Sequence, residues 1–158
     1  RTYMQLGPDA DPNRGNLAVS GHIFAHGVHI DPGADVAERF QTTEVVPVGY
    51  AVVASLSEPG KLTLSTKPRD PAFAGVISEK PGLTLASELK GPAVALVGTV
   101  RAWCSAENGP IHPGTPLTTA STPGHLMAAD DKTPASAIVG IALGSLETGT
   151  GLIKVLLR

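Results

Sequence analysis

At 158 residues and 42% hydrophobic content, the chain has the size of one domain and enough apolar material to bury a core. Its 12 basic and 14 acidic side chains leave a formal charge of −2, so no basic patch points to nucleic acid, and no apolar run approaches the roughly 20 residues of a bilayer span. One cysteine, Cys104, excludes an intrachain disulfide framework, and 18 glycines with 14 prolines between short Val-, Thr- and Leu-rich runs are the punctuation of an all-β protein.

Glycine recurs at positions 15, 21, 27 and 33, a spacing of six. An even spacing preserves the alternation of a strand, so Leu17, Val19, Ile23 and Ala25 fall on one face and Asn16, Ser20, His22 and His26 on the other. These units are too few to bury that apolar face within one chain. Residues 1–40 therefore read as a short glycine-period β-stem and junction, with Leu17, Val19, Ile23 and Ala25 forming the interface of a homo-oligomer, most simply a trimer. His22, His26 and His29 would share a face of a helix, but Gly21, Gly27, Pro32 and Gly33 oppose one. On a strand, His22 and His26 stand about 13 Å apart at roughly 3.3 Å per residue and His29 points the other way, so no metal site is expected.

The stretch DPGADVAERF, residues 31–40, reads as a short helical turn capped by Asp35 and anchored in the core by Phe40. Asp35 and Glu38 are also the residues that could assist a chain cleavage near this junction.

Residues 41–158 contain an internal repeat, about 46–82 and 111–149. Gly49 matches Gly114, Pro59-Gly60 matches Pro123-Gly124, Leu62 matches Leu126, Pro71-Ala72 matches Pro134-Ala135, and Gly75-Val76-Ile77 matches Gly140-Ile141-Ala142. Each unit reads as a strand entered through a glycine turn, a Pro-Gly hairpin, a second strand, a proline-bearing loop and a third strand. Between the units, AVALVGTVRAWC (93–104) is a near-continuous apolar run, expected to be a central strand buried on both sides with Trp103 in the core. GLIKVLLR closes the sheet. The fold class is all-β: a small β-barrel or sandwich built from two internally repeated halves, preceded by the stem.

Chemistry is sparse. The sequence has no nucleophile elbow, no HExxH, no paired cysteines and no Walker-type loop. His112 and His125 fall at turns and read as solvated, Asp130-Asp131 supplies too few ligands for calcium, and Cys104 reads as a buried inert thiol. The expectation is a non-enzymatic protein without cofactor or metal.

Several blocks together resemble a known family. GNLAVSG, ADVAERF, VPVGYAVV, AGVISEKPG, ENGPIHPGTPLTTASTPGHLMAA and IVGIALGSLETGTGLIKVLL are similar to the carboxy-terminal module of phage tail-fibre and appendage proteins and of phage-like bacterial proteins. ADVAERF and GVISEKPG resemble the G2 autoproteolytic appendage domain, whose terminal region helps a trimeric fibre fold and is then cut away. The resemblance implies a β-rich structural part of a virion or extracellular assembly, such as a tail fibre, spike or decoration module. Its partners would be neighbouring subunits or a surface receptor. The alternative it implies is a self-cleaving maturation or chaperone domain, although it places no family catalytic residue on a position here.

Overall fold

The computed structural model describes residues 22, 24, 26, 34–86 and 88–158. The expected stem interface, Leu17, Val19, Ile23 and Ala25, lies outside the described residues, as does His29. The strands are β1 (Asp35–Arg39), β2 (Ala51–Ala54), β3 (Leu62–Leu64), β4 (Phe73–Ile77), β5 (Leu83–Leu85), β6 (Ala93–Ser105), β7 (Pro116–Thr119), β8 (Leu126–Ala128), β9 (Gly140–Ala142) and β10 (Thr150–Leu157). Among the described residues the helices are single 3-10 turns, Ala106–Asn108 and Ala135–Ala137, so the all-β expectation holds.

Two rings of strands share β6. In the second half β6, β8, β7, β9 and β10 pair in that order and β10 returns to β6, closing a five-stranded barrel. In the first half β6, β4, β2 and β3 pair in order, β1 lies on the other side of β6, and Thr42 just past β1 bridges Leu62 in parallel. That bridge is the counterpart of the parallel Cys104–Leu126 pair that joins β6 to β8.

The registers make the repeat quantitative. β2 faces β4 as Ala51–Val76 and Val52–Gly75, and β7 faces β9 as Pro116–Ile141 and Leu117–Gly140. The hairpins match as Ala54–Leu62 and Thr119–Leu126. The buried Val46, Val52, Leu62, Ile77 and Val94 of the first half correspond one to one with Ile111, Leu117, Leu126, Ala142 and Val155 of the second. Gly75 and Gly140 are conformationally ordinary but sterically required. A Cβ at either would strike the carbonyl of Ala95 or Leu156 on the neighbouring strand.

β6 differs from its expected double burial. Ala93–Ala95 are buried, Leu96 and Val97 are exposed, and from Val100 onward alternation sends Val100, Ala102 and Cys104 inward and Arg101 outward. The physical reason is the shared strand: Ala93–Ala95 is buried on both faces, with Val94 in one core cluster and Ala95 in the other, whereas the stretch from Val100 onward offers its ring one face only. The change falls at a β-bulge opposite Val36 and Ala37.

Candidate functional site

The junction forms a strand, not the expected helical turn. Asp35 and Ala37 are buried while Val36 and Glu38 are half-exposed, a period of two, and β1 is paired on both edges, in parallel with β5 and antiparallel with β6. Long-range pairing thus overrides the local helix preference of Ala37, Glu38 and Arg39. Phe40 does pack against the first-half core, as expected.

This strand places Asp35 at the entrance to the sheet. The Ala34 carbonyl accepts from Thr99 N at 3.0 Å and the Asp35 carbonyl from Gly82 N at 2.9 Å, so the backbone is held on two sides. Asp35 is 5% exposed, and its Oδ2 has no hydrogen-bond partner among the described residues. A buried carboxyl oxygen without a donor is costly and calls for an explanation. Asp35 borders a cleft of about 450 Å³ at the seam of the two rings, lined also by Ala34, Ser78, Lys80, Arg101 and Lys154. Glu38 does not join it there: as the third residue on from Asp35, it lies on the opposite face of β1, in register with Leu85. The two junction carboxyls therefore form no acid–base pair. Arg39 has a structural task, donating from Nη1 to the Gly91 carbonyl at 2.7 Å.

The remaining candidates serve the fold. His125 is buried rather than solvated, with Nδ1 2.7 Å from the Pro123 carbonyl, which can only accept, so that nitrogen carries the proton. Its ring lies 5.5 Å from Tyr50 and 5.9 Å from Trp103. Trp103 is half-buried on the outer face of β6 in this aromatic seam, a correction to its expected core position. Arg101 carried the signal: a charge two residues earlier on the strand fixes that parity as outward. His112 is exposed, 3.5 Å from Glu147, and ion-paired only when protonated. His22 and His26 are exposed. Asp130 is half-buried and accepts from Arg69 Nε at 3.0 Å, from Lys132 N and from Thr133 Oγ1; the Arg69 guanidinium holds its carboxyl well below the usual range. Burial pushes the Cys104 thiol up to about 12, which keeps it protonated and inert.

Sequence reading missed Glu107. Burial raises its carboxyl, but the hydroxyls and backbone N–H groups of Ser121 and Thr122 outweigh that and hold it at about 2. Nothing in the block ENGPI marks it, because its partners arrive from the next hairpin.

The class these features define is a double-ring β module of two matching halves around one shared strand. No family model and no curated protein sequence matches the chain. The fold is similar to that in the crystal structure of the pre-mature bacteriophage phi29 gene product 12, with a TM-score of 0.64 and 16% sequence identity over 89% of this chain. The match covers 24% of that protein's length, so this chain corresponds to about a quarter of it. At this identity the likeness is one of fold.

Proposed function

We propose that the chain is a structural, non-enzymatic module of a virion or phage-like extracellular assembly, working as a homo-oligomer, with a trimeric fibre, spike or decoration subunit as the specific form. The observation that carries this reading is the double-ring fold, shared over 89% of the chain with a phage protein. The sparse chemistry is consistent with it: Arg69, Asp130, Glu107 and His125 are tied into turns and hairpins. Native mass spectrometry of the chain tests it, with three 16.1 kDa subunits expected and a monomer at micromolar concentration overturning it.

A second reading, self-cleavage near the junction, is favoured by one observation, the buried Asp35 carboxyl with an unpartnered oxygen beside Ala34. The related fold belongs to a protein in a pre-mature form, which fits a later processing step. Incubating the chain without protease should then yield a product beginning within a residue or two of Asp35. Asp35→Asn should abolish that product. An unchanged intact mass in the wild-type chain would remove this reading and leave the first.

A further inference from the structure

We propose that the cleft at the seam of the two rings binds a hydroxylated carboxylate, the chemistry of a hexuronic acid, with Arg101 and Lys154 holding the carboxylate group. This inference goes beyond the assembly reading and does not depend on the oligomeric state.

Three observations carry it. First, the β6–β10 ladder sets Arg101 directly opposite Lys154. Both side chains are exposed and both line the cleft, as does the exposed Lys80. Like charges opposite one another in a ladder oppose the pairing of their strands. No ion pair relieves them: among the described residues the ion pairs are Lys61–Glu58, Arg69–Asp130 and His112–Glu147, none of which lines the cleft. A neutral residue at either exposed position would serve the sheet without this repulsion. An anion seated between the two side chains turns the repulsion into charge-assisted hydrogen bonding, with the Arg101 guanidinium matched to the fork of a carboxylate.

Second, the surroundings suit a small molecule rich in hydroxyls. The cleft holds about 450 Å³, within the roughly 300–1,000 Å³ of small-molecule sites. Ser78 and Thr99 line it with hydroxyls, each able to donate and to accept, and Glu79 adds a carboxylate acceptor. Val48, 49% exposed, and Leu152 give the lining apolar surface. A sugar ring, with C–H groups on its face and hydroxyls around its rim, matches both kinds of surface.

Third, the charge of the lining selects the anion. Lys80, Arg101 and Lys154 share it with two carboxyls, Asp35 and Glu79, which leaves a formal excess of one positive charge. Asp35 enters this balance as charge alone, since its Oδ2 is closed to solvent. A single carboxylate closes the balance, whereas a phosphate monoester, at about −1.5 to −2 near pH 7, exceeds it. The same excess disfavours an amine, so the donors that meet Glu79 are hydroxyls.

The test is a calorimetric titration of the full chain at low ionic strength, with D-glucuronate as the probe and D-glucose, acetate and inorganic phosphate as comparisons. Glucuronate should bind at least tenfold more tightly than acetate, which has the charge without the ring, and than glucose, which has the ring without the charge. Amide shifts in the NMR spectrum on adding glucuronate should centre on Thr99, Arg101 and Lys154. Arg101→Gln and Lys154→Gln, each shown to be folded by circular dichroism and thermal melting, should weaken glucuronate binding at least tenfold. Lys61→Gln, away from the cleft, should bind as the wild type does. A wild-type chain that does not bind glucuronate overturns the inference. Phosphate binding as tight as that of glucuronate also overturns it, because the cleft would then be a site for anions in general. Unchanged affinity in the folded Arg101→Gln and Lys154→Gln variants would place the binding elsewhere and overturn it as well. None of these results bears on the assembly reading, which native mass spectrometry decides separately.

Discussion

The two rings share a pattern of pairing but not a degree of closure. The second is joined to the common strand by an eight-pair ladder, Thr150–Leu157 against Gly98–Ser105, and its core includes Ile111, Leu117, Leu126, Val155 and Leu157, all essentially inaccessible. The first is joined by five pairs interrupted by a bulge, and its core cluster has five buried members, of which Val46 and Leu62 keep slight exposure. The first ring also carries what the second lacks: the chain junction, the unpaired Asp35 oxygen and the apolar β5 edge. The second ring is thus the more completely closed half, and the features that invite a function lie in the less closed first half, as expected where functional regions are drawn from the less stable parts of a fold.

Equivalent leucines offer the strongest way to break this comparison. Leu62 and Leu126 occupy the same place in the two hairpins, so their truncation removes the same atoms. Leu126→Ala should cost about 4–5 kcal/mol and Leu62→Ala about 2–3 kcal/mol, the upper and lower parts of the range for buried leucines, since the smaller and looser core can relax around the loss. Urea unfolding of both variants measures the difference. Equal costs would mean that the rings are equally well packed and that the division of labour is wrong.

The same comparison explains what was legible in the sequence. The repeat could be read because its marks are backbone requirements: Gly75 and Gly140 lie against neighbouring carbonyls, and Gly60 and Gly124 adopt positive φ in the hairpin turns. Such demands leave the same residue type in both copies. β1 could not be read, because Asp35–Arg39 is a strand only through β5 and β6, which lie more than 40 residues further along the chain. Nor could the burial of His125, whose covering rings come from the first half and from β6. The candidate site at Asp35 was half legible: the residue was singled out, but its burial, and its separation from Glu38 by strand parity, needed the pairing.

The hairpin glycines sharpen the contrast at a smaller scale. Gly60 has φ +86° with open space where a Cβ would sit, whereas Gly124 has φ +72° and faces the Tyr50 ring. The Gly124 turn is docked onto the first half, donating to the Ser65 carbonyl at 2.7 Å and accepting from Ala51 N at 2.8 Å. Gly60→Ala should cost about 1 kcal/mol, the strain of the left-handed conformation alone. Gly124→Ala adds overpacking against Tyr50 and should cost about 2–4 kcal/mol in all. Shifts in thermal midpoint rank the two, and a Gly124 effect no larger than that of Gly60 would show the seam to be loosely packed.

The smallest expected effect is an acid response in which each ring has its own carboxylate. Glu44 accepts from Thr43, Thr63 and Leu64 N, and Glu107 accepts from Ser121 and Thr122, so each ties down the hairpin of its own half. Both carboxyls are lowered from 4.5, Glu44 mainly by the Thr43 hydroxyl; Glu107 reaches about 2, its donors outweighing the burial that opposes them. A carboxyl lowered in the folded state contributes its full stabilisation above the unfolded value and loses it as the folded group protonates. The contribution should therefore be intact above pH 4.5 and fade as pH falls toward about 2. Both groups are largely solvated, which limits each to below about 1 kcal/mol. Glu107→Gln should flatten the acid limb of a stability-versus-pH profile more than Glu44→Gln, because the larger displacement belongs to the second ring. A greater effect from Glu44→Gln would place the acid-sensitive hairpin in the first ring and reverse the order of the two halves in this respect.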